Sequence, residues 1–127
     1  MELGSLPLKD GQSILPVRIE FLYKLVFSYT FAKLGFGTGT AWYKDDPKDP
    51  VNPEMIEVLK TAISKGFVHL NCANSYGTEW GVGTAIKESG LSRGSFFITT
   101  KVQDGWADIP RAMEKILANL QLEHVDL

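Results

Sequence analysis

The sequence has a single cysteine, Cys72, and only two histidines, His69 and His124. A lone cysteine cannot close an internal disulfide, so a disulfide scaffold is excluded and a reducing compartment fits the chain. A structural zinc site takes four ligands. Two histidines and one cysteine form no compelling arrangement, so His69 reads as a buried structural residue and Cys72 as a small packed thiol. Charge of one sign is also missing: 13 basic residues stand against 15 acidic ones, a net charge of -2. That balance gives no general electrostatic attraction to nucleic acid or anionic lipid. Residues 1–12 lack a basic segment followed by an apolar core, so a secretory signal is not expected and a cytoplasmic location is. With 44% hydrophobic and 22% charged residues, the 127-residue chain is neither disordered nor fibrous. Its length suits about one domain.

Long uninterrupted hydrophobic runs are absent as well. The nearest approach, residues 14–34, contains Phe21, Leu22, Leu25, Val26, Phe27 and Phe31, but Arg18, Glu20, Lys24 and Lys33 interrupt it. Each central charge costs roughly 2.5–3.5 kcal/mol on insertion scales, which argues against a membrane span. Val17, Ile19 and Phe21 alternate with Arg18 and Glu20, a strand pattern. The later part is open between strand and helix.

From Leu34 the chain alternates strand and helix signals. Leu34-Gly35-Phe36-Gly37-Thr38 is a short apolar strand whose glycines allow close backbone approach. Residues 44–50 read as loop. Asn52 as N-cap, Pro53 at the first helical position and Glu54 at the positive dipole end start a helix, with Ile56, Leu59, Ala62 and Ile63 on one face. Gly66 ends it. A strand is expected over 67–70. Thr78 caps a second helix with Val82, Ala85 and Ile86 inward, ending at Ser89-Gly90. Phe96-Phe97-Ile98-Thr99-Thr100 is the clearest strand. Asp108 caps a third helix whose buried stripe is Ile109, Met113, Ile116, Leu117 and Leu120. Val125-Asp126-Leu127 looks like the start of another strand.

This alternation implies parallel βαβ units. On pattern alone a doubly wound open sheet and a (β/α) barrel both remain open; a closed barrel needs roughly 250 residues. Gly35-Phe36-Gly37-Thr38-Gly39 is a poor dinucleotide loop, because the third glycine is misplaced and no helix follows directly. The informative residues are Asn71, Tyr76 and Lys101, which lie just past the C-terminal ends of strand patterns, where parallel α/β proteins build their sites. A lysine ammonium beside a tyrosine favours the phenolate, so such a tyrosine can serve as a general acid. On spacing alone, a packed Tyr76 and a solvated Lys101 weigh more. Trp42 and Trp106 are candidates for a pocket mouth, or ordinary rim contacts.

Ordered motifs in this chain resemble the aldo-keto reductases. Leu34-Gly35-Phe36-Gly37-Thr38 is similar to that family's first barrel strand. Lys65-Gly66-Phe67-Val68-His69-Leu70-Asn71 and Tyr76-Gly77-Thr78-Glu79 are similar to its second strand and active-site loop. Val82-Gly83-Thr84-Ala85-Ile86-Lys87, then residues 96–101, and then Leu120-Gln121-Leu122-Glu123-His124-Val125-Asp126-Leu127 continue the likeness. A hairpin around Asp10-Gly11 would precede them.

The resemblance implies an α/β fold, the first three to four βα units of a (β/α)8 TIM barrel with an N-terminal β-hairpin. It implies one truncated domain over 1–127 with an atypical insert at 18–33. It also implies an oxidoreductase that reduces aldehydes or ketones with NADPH. Tyr76 would be the proton donor and Lys101 its charged partner, with Gly37, Thr38 and Asn71 near the NADP cofactor. Asn71 stands where the family has an aspartate: the amide keeps the size and loses the charge. The family's substrate-orienting histidine and most of its cofactor contacts would lie past Leu127. Activity of these residues alone is therefore not expected. The alternative is a non-catalytic barrel fragment, a gene-model artefact or an interaction module, which could self-associate through exposed strand edges.

Overall fold

A computed structural model describes residues 6–7, 13–15, 30–32, 34–39, 41–46 and 49–127. At the N-terminus β1 (Leu6–Pro7) pairs antiparallel with β2 (Ser13–Leu15), the expected hairpin, and β2 pairs in parallel with β3 (Thr30–Ala32). The strand expected over 17–21 lies outside the described residues. So does the proposed insert at 18–33, apart from β3 itself.

The second sheet carries the rest of the architecture. Its strands β4 (Gly35–Gly37), β5 (His69–Asn71) and β6 (Phe97–Thr99) are parallel and ordered as in the chain. They alternate with helices α1 (Pro53–Ser64), α2 (Glu79–Glu88) and α3 (Ile109–Leu120), giving three successive βα units. Phe36, Leu70 and Ile98 lie in register across the sheet and face the helices. There they join Met55, Leu59, Val82, Ala85, Ile116 and Leu120 in one core. Because side chains alternate along a strand, Gly37, Asn71 and Thr99 line up on the opposite face.

Local chemistry explains the helix boundaries. Asn52 Oδ1 accepts the N–H groups of Glu54 and Met55 at 2.8 and 3.4 Å, with Pro53 opening α1. Gly66, at φ 92°, turns the chain out of the helix, a conformation that costs glycine little. Asp108 Oδ1 accepts the N–H of Arg111 at 3.2 Å and caps α3. Thr78 precedes α2 as expected but makes no capping bond.

Four expectations need correction. β5 starts later than the 67–70 pattern suggested, because the chain leaving Gly66 spends Phe67 and Val68 reaching the sheet. The stripe of α3 narrows to Ile116 and Leu120: Met113 and Leu117 are half-buried and Ile109, in the first turn, is exposed. His69 is half-buried rather than buried, since it stands on the face away from the helices. Residues 125–127 are not a regular strand. Even so, the N–H groups of Asp126 and Leu127 donate to Ile98 O, and Thr100 N–H donates to Leu127 O, so the segment runs beside β6.

Arg93 ties this terminal segment down. Its guanidinium donates to the carbonyls of His124 and Phe96 and pairs with Asp126, whose Oδ2 also accepts the N–H of Ile98 at 2.8 Å.

Two glycines of α2 set the helix spacing. A Cβ on Gly83 would overlap the backbone carbonyl of Leu120 in α3, whereas one on Gly81 would meet the terminal methyl of Met55. A backbone carbonyl cannot step aside as a flexible side chain can. Gly83→Ala is therefore expected to destabilise the fold by about 1–3 kcal/mol in urea titration, as overpacked cores do. Gly81→Ala should cost clearly less; equal losses would show that the α2–α3 contact is not tight.

Candidate active site

Three loops leave the C-terminal ends of β4, β5 and β6 on the same side of the sheet. The backbone ladder extends past the regular strands: Thr38 N–H donates to Asn71 O at 3.1 Å, and Cys72 N–H donates to Thr99 O at 2.9 Å. These bonds hold the three strand ends level. After β5 the chain makes a 3₁₀ turn, Asn74–Tyr76, and Gly77 at φ 68° redirects it into α2. Tyr76 is thereby presented at the rim. Its ring packs against Gly39, where a Cβ would come within 2.9 Å of ring carbon Cε2, and it meets the Tyr43 ring at 6.2 Å between centroids.

Lys101 reaches this turn from just beyond β6. Its Nζ donates to Asn71 Oδ1 at 2.7 Å and to the Cys72 carbonyl at 2.8 Å, and lies 5.0 Å from the centroid of the Tyr76 ring. Asn71, Tyr76 and Lys101 are thus brought together. Both acceptors of the ammonium are neutral, so Asn71 holds Lys101 by hydrogen bonding without offsetting its charge. A cation over an aromatic face is attracted by the ring quadrupole.

Gly37 and Thr38 differ in kind. Gly37 is exposed beside Asn71, and a Cβ there would meet nothing within 4 Å. Thr38 is fully buried, its hydroxyl 2.8 Å from that of Thr78 and 3.3 Å from Asn71 O. That contact engages the Thr78 hydroxyl that would otherwise cap α2.

Glu79 is the side chain sequence reasoning passed over. It is only 2% exposed, and its two oxygens accept from Thr100 Oγ1 at 3.3 Å and Asn119 Nδ2 at 3.2 Å. The carboxylate joins the start of α2 to the end of β6 and to α3. Burial raises its pKa, against the hydrogen bonds from Asn119 and Thr100 and the charge of Lys115. The available signal was a glutamate in the first turn of a helix, which usually reads as a dipole partner facing water.

The remaining candidates settle into packing or rim positions. His69 Nε2 lies 2.9 Å from Thr99 Oγ1, and its ring sits edge-on to Phe97. Cys72 is buried, and burial pushes its thiol up to about 11, which makes it a poor nucleophile. Among the described residues no group of three or more His, Cys, Asp or Glu side chains is placed to hold a metal ion. Likewise, no described helix is long and apolar enough to cross a membrane. Trp42 stacks on Phe36, with centroids 6.2 Å apart, and Trp106 is 75% exposed. A cavity of about 600 Å³ between α2 and α3, lined by Asn74, Glu79, Trp80, Asp104, Arg111 and Lys115, lies beside the Tyr76–Lys101 pair, not around it.

Residues 33–127 match the model of the Aldo/keto reductase family. The chain belongs to that family. It is 38% identical over 92 residues to the NAD/NADP-dependent indole-3-acetaldehyde reductase of Schizosaccharomyces pombe, an overlap of 72% of this chain and 32% of that protein. It is 43% identical over 77 residues to the glyoxal reductase of Bacillus subtilis, covering 58% of this chain and 28% of the relative. Among solved structures, an aldo/keto reductase from Brucella melitensis superimposes with a TM-score of 0.67 at 26% identity, over 98% of this chain and 39% of that one. Such neighbours are (β/α)8 barrels, so the three βα units are a partial barrel. The chain spans about a third of the length of the relatives it matches. Aldo-keto reductases use NAD(P)H and act on small carbonyl compounds.

In this aldo-keto reductase chain Glu79 makes stability depend on pH. A carboxyl whose folded pKa lies above its unfolded value of about 4.5 stabilises the fold fully below that value. The contribution is lost as pH rises through the folded pKa. Glu79→Gln keeps the shape and removes the titration. Relative to the parent, the variant should gain stability as pH rises above about 4.5, read by urea unfolding at a series of pH values. A stability difference that does not change with pH would show that Glu79 titrates alike in both states.

Proposed function

We propose that this chain carries the proton-donating part of an NADPH-dependent carbonyl reductase site that converts an aldehyde or ketone to an alcohol. The observation that carries the reading is the placement of Lys101 Nζ over the Tyr76 ring and on Asn71, at the C-terminal ends of adjacent parallel strands. Relatives named for indole-3-acetaldehyde and glyoxal support an aldehyde as substrate class.

The roles follow from position. The Tyr76 hydroxyl gives its proton to the carbonyl oxygen. The Lys101 ammonium offsets the negative charge left on the phenol oxygen. Asn71 holds the ammonium in place but, as an amide, supplies no balancing charge. NADPH, when bound, supplies the hydride. Gly37 fits such a cofactor: open space in front of its backbone lets a flat ring lie against the strand, and Asn71 offers a polar edge beside it. Thr38 supports this floor from behind, since its hydroxyl is committed to Thr78. The buried, lone Cys72 is in keeping with a cytoplasmic location. Residues 18–33, ahead of the family match that begins at residue 33, are read as an insertion.

A second reading, a non-catalytic fragment that self-associates, is favoured by a particular feature. Among the described residues β4 pairs only with β5, leaving an edge with Gly35 and Gly37 exposed.

The test is NADPH oxidation by the 127-residue chain over an aldehyde panel, beside Tyr76→Phe. Turnover is expected to be slow, because Asn71 leaves the Lys101–Tyr76 pair without a balancing carboxylate and losing one well-placed electrostatic group commonly costs about 10²–10³ in rate. Turnover that vanishes in Tyr76→Phe would show that a partial barrel suffices. In a version extended to full family length, Asn71→Asp should raise the rate and Tyr76→Phe abolish it. A Tyr76→Phe variant as active as its parent would overturn the proposed role.

A further inference from the structure

Tyr76 and Lys101 stand on segments that leave two different strands. The turn after β5 carries the tyrosine and the stretch after β6 carries the lysine. Lys101 reaches Asn71 and Cys72 only through a long flexible side chain, which is costly in conformational freedom to hold in one place. Those contacts alone do not fix the two backbones relative to each other.

Asn74 does. Its backbone N–H donates to the Lys101 carbonyl at 3.1 Å. Its side-chain Oδ1 accepts the N–H groups of both Gln103 and Asp104, at 3.0 and 3.2 Å. Its Nδ2 donates to the Asp104 carbonyl at 2.6 Å. One residue, two positions before Tyr76, therefore makes four hydrogen bonds to the segment that begins at Lys101. The side-chain three use both halves of the amide, accepting twice and donating once. A loop backbone would otherwise leave these N–H and carbonyl groups to water.

We infer that Asn74 is a positioning residue that sets the geometry of the Tyr76–Lys101 pair by clasping residues 101–104 to the tyrosine's own turn. The inference rests on the pairing proposed above. It adds a residue that bonds to the backbone of 101–104 rather than to the phenol or the ammonium, yet determines where the lysine stands over the ring.

The test reads that geometry directly and needs no turnover. In the full chain labelled with 13C-lysine, the Lys101 side-chain protons should be displaced upfield by the Tyr76 ring current. The signal is assigned by its loss in Lys101→Arg, and its origin is checked by its collapse in Tyr76→Leu. Asn74→Ala should lose most of the displacement. Asn74→Asp still accepts from Gln103 and Asp104, and should retain more of it than Asn74→Ala. If Asn74→Ala does not fold, Asn74→Ser takes its place, because the shorter hydroxyl cannot reach both N–H groups. A general loosening of the fold would not be rescued by aspartate. An undiminished displacement in Asn74→Ala overturns this inference alone, as does an equal loss in Asn74→Asp. A displacement in the parent that ignores Tyr76→Leu overturns the pairing itself, and both readings with it.

Discussion

The rest of this structure depends on the two-sided parallel pairing of β5. Leu70 must enter the helix-facing core, so Asn71 is turned to the other face, and pairing with β4 and β6 fixes the height at which it emerges. The ladder continues through Thr38 and Cys72 beyond the regular strands, so the loops that follow start from one level. Lys101 can then reach Asn71 and the Cys72 carbonyl from the neighbouring strand. A slip of one residue would reverse Leu70 and Asn71, removing a core side chain and the lysine's partner together.

Below the rim, polar groups are buried where the sheet meets the helices. Thr38 and Thr78 satisfy each other, and Glu79 is satisfied by Thr100 and Asn119. Buried polar groups are tolerated when every one finds a partner, and such networks favour a single arrangement of the elements they join. Asn71 follows the same logic. Its amide oxygen accepts from Lys101 and so fixes the ammonium without placing a charge beside it.

Much of this was legible in the chain, for local reasons. Asn52-Pro53-Glu54 and Asp108-Ile109-Pro110 satisfy or dispense with helix-terminal N–H groups on their own, so their helices begin where the pattern says. Helix ends at Gly66 and Gly90 were visible because left-handed backbone is easiest for glycine. Elsewhere a distant partner altered the local rule. Thr78 has the composition of a cap, but Thr38, forty residues away in sequence, takes its hydroxyl. Ile109 belongs to the apolar stripe of α3 by spacing, yet the first turn of that helix extends past the core and leaves it exposed.

The same division holds for the site. Sequence alone determined that strands and helices alternate, that Tyr76 and Lys101 follow strand patterns, and that position 71 carries no charge. Hydrophobic periodicity, capping and residue chemistry are properties of short stretches and need no partner to be read. Only the tertiary structure decided that Lys101 lies over the Tyr76 ring, that Glu79 is sealed between three elements, and that Asn74 clasps the segment after Lys101. Those contacts join residues 21 to 40 positions apart. Their distances are set by strand register and helix packing, which arise when the parallel units close on a shared core.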